Sequence, residues 1–157
     1  MMKVLIIEDD PIKLNGIKSF MTKFNSNIQM DTKMSYQSGL LILLKENYDL
    51  VLLDMQLPNY DIKSGEDGYK PRPVAGRDIM RELKRKKVQT HVIIVTQYEG
   101  FGENGKFESL EEWDRKLAKE FDAFYVTMIE YRPGSNAWQD KLTKHLNILI
   151  SDKSSDS

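Results

Sequence analysis

The stretch Asp49–Pro58 reads DLVLLDMQLP, with four apolar residues between two aspartates. Its apolar part, Leu50–Leu53, is too short for a helix and shows no alternation. That is the pattern of a strand buried on both faces of a parallel sheet. The run stops at a carboxylate, Asp54. Val4–Ile7 (VLII), Val92–Val95 (VIIV) and Phe124–Val126 (FYV) share the pattern. VLII likewise meets acid, at Glu8-Asp9-Asp10, and VIIV closes at Thr96. A weaker strand candidate, Ile28–Thr32, lies between VLII and LVLL.

Helical spacing fills the gaps. Leu14, Ile17, Met21 and Phe24 form one apolar stripe, and Tyr36–Glu46, with its LLILL, reads as a strongly buried helix. Ile79 and Leu83 mark a helix running into Lys84–Lys87, where positive charge suits the helix dipole. Ser109 and Glu112 make a capping box ahead of Leu110, Trp113, Leu117 and Phe121 on one face. Trp138, Leu142, Leu146 and Leu149 mark the last helix. Strand and helix alternate five times, which predicts an α/β domain with an open, five-stranded parallel sheet in three layers. Right-handed crossovers then put every strand's C-terminal end along one edge.

A chain of 157 residues suits one domain, here 1–150, with the apolar-free tail 151–157 (SDKSSDS) expected to be disordered. Two connections exceed what the fold needs, 59–74 (NYDIKSGEDGYKPRPV) and 99–106 (EGFGENGK), and both read as inserts. Lys plus Arg number 23 against 24 Asp plus Glu, which argues against nucleic-acid binding by bulk positive charge. The absence of cysteine excludes disulfides, thiolate catalysis and Cys-based metal sites. No apolar run approaches the ~18 residues of a membrane span. The start, MMKVLIIEDD, meets acid too soon for a signal peptide, so a cytoplasmic chain without membrane contact is expected.

Glu8, Asp9 and Asp54 should share the sheet edge where ligands bind in this architecture. Clustered carboxylates repel unless something positive sits among them. No His or Lys adjoins them in the sequence, so a divalent metal is the natural occupant, and Mg2+ suits carboxylates, waters and a phosphate oxygen. Asp10 before Pro11 also reads as an ordinary helix cap. Thr96 closes its strand at the same edge, where its hydroxyl could reach a phosphoryl oxygen. His91 and His145 show no ligand-like pairing.

VLIIEDDP, DLVLLDMQLP and VIIVTQY together resemble the receiver domain of two-component response regulators. The resemblance implies the flavodoxin-like, doubly wound fold and covers the chain apart from the inserts and tail. It makes Asp54 the phosphoacceptor. It assigns Asp9 to Mg2+ (or Mn2+) directly, Glu8 through a metal-bound water, and Gln56 through its backbone carbonyl. Thr96 becomes the switch hydroxyl, and Tyr125 the aromatic that turns inward on activation.

Two positions depart from the family pattern. Gln97 stands where a small residue usually follows the switch hydroxyl. The lysine that ends the family's fifth strand is missing: counted from Tyr125, its place holds Met128. The nearest similar dipeptide is Arg132-Pro133, which makes Arg132 the candidate substitute cation.

The implied function is a stand-alone signalling domain, not an enzyme, phosphorylated by a histidine kinase or phosphotransfer protein. Output would pass to another protein whose identity stays open, as does homodimer formation. A competing reading is a receiver-like interaction module that does not signal by phosphorylation. A haloacid dehalogenase type phosphatase also uses an aspartate nucleophile, but this chain has Gln56 where those enzymes place a second, acid/base aspartate.

Overall fold

Five strands alternate with five helices in a computed structural model that describes residues 2–62, 71–97 and 108–155. In chain order these are β1 (Lys3–Ile7), α1 (Pro11–Phe24), β2 (Gln29–Lys33), α2 (Tyr36–Lys45), β3 (Leu50–Leu53), α3 (Ala75–Arg85), β4 (Val92–Thr96), α4 (Leu110–Glu120), β5 (Tyr125–Glu130) and α5 (Ala137–Ser155). All pairings are parallel, in the order β2-β1-β3-β4-β5. The order reverses at β1, so the crevice beyond the ends of β1 and β3 is where such a sheet binds ligands.

Alternation along the strands sends side chains into two cores. Leu5, Ile7, Val51, Leu53, Val92 and Ile94 pack against α2, α3 and α4 through Leu43, Ile79, Leu83, Trp113, Leu117 and Phe121. Val4, Ile6, Leu50, Leu52, Ile93 and Val95 pack against α1 and α5 through Ile17, Met21, Trp138, Leu142 and Leu146. Because both faces are covered, LVLL and VIIV need no polar positions.

The Ser109 cap forms as its sequence indicates, with the hydroxyl accepting from the Glu112 N–H at 3.1 Å. Other segments differ from expectation. α2 buries only Gly39 and Leu43, and leaves Leu41 58% and Leu44 44% exposed: an apolar run wider than one helical face cannot all point inward. The tail expected to be disordered from 151 is helical through Ser155, because α5 is already nucleated by its packed first turns and extension is cheap. Lys153 also ties it to Asp49, with Nζ 2.7 Å from Oδ2. β5 continues to Glu130, and a register shift between Val92 and Ile93 lets an extra residue into that strand. The 99–106 segment lies outside the described residues, as do 63–70 of the other insert, whose base is closed by an antiparallel bridge between Leu57 and Arg72.

Candidate phosphoacceptor and metal site

Asp54 is the first residue past β3, and its N–H donates to the Ile7 carbonyl at 3.1 Å, locking it beside the end of β1. Oδ1 accepts from the Met55 N–H at 2.7 Å and from the Thr96 hydroxyl at 2.8 Å. Thr96 is 1% exposed, so this contact is made out of water. α3 presses on the same backbone: Gly76 N–H donates to the Met55 carbonyl at 3.0 Å. A Cβ on Gly76 would stand 2.8 Å from the Asp54 carbonyl oxygen, so only glycine permits the approach.

On the other side, Asp10 caps α1 by accepting from Ile12 N–H at 2.9 Å, and Pro11 opens the helix, as the capping reading expects. Glu8 is 2% exposed, and its Oε2 accepts from the Asp10 N–H at 3.0 Å. Glu8, Asp9 and Asp54 each offer an oxygen within 4.8 Å of the others. A cleft of about 240 Å³ opens over them, lined by Glu8, Asp9, Asp10, Lys13, Asp54, Gln56, Thr96 and Gln97.

Lys13 was not anticipated. It stands within the first turn of α1, and its side chain is 3% exposed. Its Nζ donates a hydrogen bond to the Val95 carbonyl at 2.7 Å and stands as an ion-pair partner 2.5 Å from Glu8 Oε1 and 3.3 Å from Asp54 Oδ2. Adjacency in sequence hid it, whereas helical spacing reveals it. The buried residues of α1 are Lys13, Ile17 and Met21, each four apart, so the lysine extends the inward stripe to the sheet edge. Burial, reinforced by the Asp54 carboxylate, raises the Glu8 carboxyl above its usual range, against the pull of Lys13. Burial alone would lower the Lys13 ammonium, but Asp54 and Glu8 outweigh it and hold it raised. Among the described residues lining the cleft, carboxyl groups outnumber the one amine.

The far flank departs from expectation. Tyr125 sits opposite Val92, at the end of the β4–β5 ladder remote from Thr96. Its hydroxyl donates to Asp114 Oδ1 of α4 at 2.5 Å. Burial first, and then the Asp114 contact, raise that phenol well above its ordinary value. The structure therefore does not bring Tyr125 to the Thr96 hydroxyl. Met128 lies opposite Ile94, and the residue opposite Thr96, the last of β5, is Glu130. Arg132 is not the cation beside Asp54: its side chain is 71% exposed and it forks onto Glu130, at 3.0 and 3.3 Å. Pairing a flexible arginine with a neighbouring carboxylate in water spares it the cost of burial.

A family model described as response regulator receiver domain matches residues 4–123. The Detocs response regulatory protein DtcB of Enterobacter cloacae is 27% identical over 151 residues, covering 94% of this chain and all (100%) of that protein. An uncharacterised protein, y4jR of Sinorhizobium fredii, is 27% identical over 139 residues, covering 88% of this chain and 92% of its own. The solved receiver domain protein from Clostridium thermocellum superposes with a TM-score of 0.65 at 23% identity, over 100% of both chains. TrrA of Thermotoga maritima, a response regulator solved in complex with Mg2+ and BeF, superposes with a TM-score of 0.61 at 19% identity, over 95% of this chain and 99% of its own.

Proposed function

The chain belongs to the response regulator receiver domain family, and from that premise we propose that it accepts a phosphoryl group on Asp54 in a reaction that depends on Mg2+ or Mn2+. The observation that carries this reading is the division of labour between the two Asp54 oxygens. Oδ1 is held by the Met55 N–H and the Thr96 hydroxyl, which leaves Oδ2, on the Lys13 side, as the nucleophile. The donor is a phosphohistidine on a histidine kinase or phosphotransfer protein. Oδ2 forms a bond to phosphorus as the P–N bond breaks, and the electron pair leaves on the imidazole, which takes its proton from solvent.

The oxygen set of Glu8, Asp9 and Asp54, within 4.8 Å, fits a hard divalent cation. Asp9 and Asp54 would hold it directly, with Glu8 through water and Gln56 through its carbonyl. Bound there, it supplies charge neutralisation between the carboxylate and the phosphoryl oxygens. Thr96 would turn its hydroxyl from Oδ1 to a phosphoryl oxygen, and that change would bias the shape presented to an output protein.

Intact mass after incubation with acetyl phosphate and Mg2+ tests the reading. The wild type should gain one labile phosphate and Asp54→Asn none, with its fold kept. An unlabelled wild type would make the chain an interaction module that does not signal by phosphorylation. Equal labelling of Asp54→Asn would move the site elsewhere.

A further inference from the structure

A phosphoryl group brings about two negative charges into a cleft already lined by Glu8, Asp9 and Asp10. Among the described residues that line it, Lys13 is the one cation. Of its three contacts, the 3.3 Å one to Asp54 Oδ2 is the longest. Phosphorylation moves the charge of Asp54 from the carboxylate out to the phosphoryl oxygens. The ammonium beside Oδ2 thus loses a charged partner just as a more highly charged one arrives next to it. The Val95 carbonyl and Glu8 hold the amine meanwhile, and the Tyr131 ring stands 5.7 Å from it. Nothing at the end of β5 competes, since Glu130 is an anion and Arg132 is 71% exposed upon it.

We propose that Lys13, from the first turn of α1, supplies the amine that binds the phosphoryl group on Asp54, a contact that no side chain at the end of β5 provides. The proposal rests on Asp54 being the phosphoacceptor. It makes Lys13 do two things in turn: pair with Glu8 and Asp54 at rest, then follow the charge of Asp54 outward onto the phosphoryl oxygens. At rest Lys13 also opposes a metal ion, because it is a cation standing among the same carboxylates.

Crystals of the wild-type chain grown with Mg2+ and beryllofluoride, a mimic of the phosphoryl group, should show Lys13 Nζ within hydrogen-bond distance of a fluorine. A fluorine facing a different cation, or water alone, overturns the proposal. In solution Lys13→Met should bind beryllofluoride about 10- to 100-fold more weakly at saturating Mg2+. The same variant should bind Mg2+ about tenfold or more tightly by calorimetry, since a competing positive charge has left the site. Only an amine shared between these two tasks moves the affinities in opposite directions; unchanged beryllofluoride affinity overturns the proposal. Should the variant not fold, the wild-type crystal complex decides. Wild-type protein that takes neither beryllofluoride nor phosphate overturns the reading of Asp54 itself. Wild-type protein that takes both, matched by Lys13→Met, overturns this proposal alone.

Discussion

Lys13–Glu8 and Arg132–Glu130 are both ion pairs on the edge of the sheet that carries Asp54, one on the β1–α1 flank and the other at the end of β5. In the first the side chains are 3% and 2% exposed, in the second 71% and 30%. The buried pair is held by the fold: an amine on a capped helix, a carboxylate anchored by the Asp10 N–H, and a third contact to the Val95 carbonyl. The exposed pair spans two residues of one chain segment, and neither residue lines the cleft. Nearness in sequence to an expected position is a poor guide to which cation serves an active carboxylate. What decides is which side chain the helix and strand geometry carries into the cleft.

The two pairs should differ most in what they contribute to stability. Removing one partner of a buried ion pair leaves the other uncompensated, at a cost of about 3–5 kcal/mol. Lys13→Met should therefore lower the unfolding free energy by about that amount in urea titrations at neutral pH without metal. Adding Glu8→Gln should give part of it back, because the buried carboxyl left without its partner is then gone. A loss below about 0.5 kcal/mol, the scale of an ordinary surface substitution, would mean the amine is no more built into the fold than Arg132.

The same contrast separates what could be read in the sequence from what could not. VLII, LVLL and VIIV announce central strands because burial on both faces demands uninterrupted apolar residues. The meeting of Asp54 with Thr96 follows from that, since each closes one of two neighbouring strands. The Ser109 cap was legible because its partner is three residues away. Glu130 was not, because the register shift near the start of β5 defeats counting from Tyr125. Lys13 was hidden by its type: a lysine on an apolar stripe is ordinarily assigned to the surface, and only the carboxylates of two strand ends make its burial tolerable. The LLILL of α2 shows the converse, since hydrophobic composition does not settle which side faces the sheet.

A smaller effect is expected at the opposite end of β3. Asp49 Oδ2 accepts from the Lys3 N–H at 2.7 Å and from Lys153 Nζ at 2.7 Å, so this pair, half in water, adds a backbone donor that Arg132–Glu130 lacks. Partial burial pushes the Asp49 carboxyl up, but Lys153 and the Lys3 N–H outweigh it and hold it below its ordinary 3.8. A carboxyl depressed by folding stabilises above its unfolded value, and that contribution fades as pH falls through the folded one. The urea midpoint of the wild type should thus exceed that of Asp49→Asn by a constant margin between about pH 5 and 7. The margin should close as acid protonates the group. A gap that persists or widens at the lowest pH where both remain folded would show that the carboxylate charge is not what Lys153 senses.

The smallest effect is expected from Arg132→Ala, and it tests the comparison from the other side. Both partners of the Arg132–Glu130 pair reach water, and the guanidinium keeps its charge throughout any accessible pH range. Exposed charges of this kind gain little from pairing and lose that to salt, since the screening length falls to about 3 Å at 1 M ionic strength. Arg132→Ala should leave the urea midpoint indistinguishable from wild type at low and high salt alike. It should equally leave the yield of phosphate adduct and the beryllofluoride affinity unchanged. The binding measurement carries the weight, because a flexible arginine that is idle at rest could still swing inward once charge accumulates on Asp54. A clear fall in beryllofluoride affinity, with the midpoint untouched, would reveal that movement. The cationic duty would then be divided between α1 and the end of β5, and the buried flank would no longer account for the site by itself.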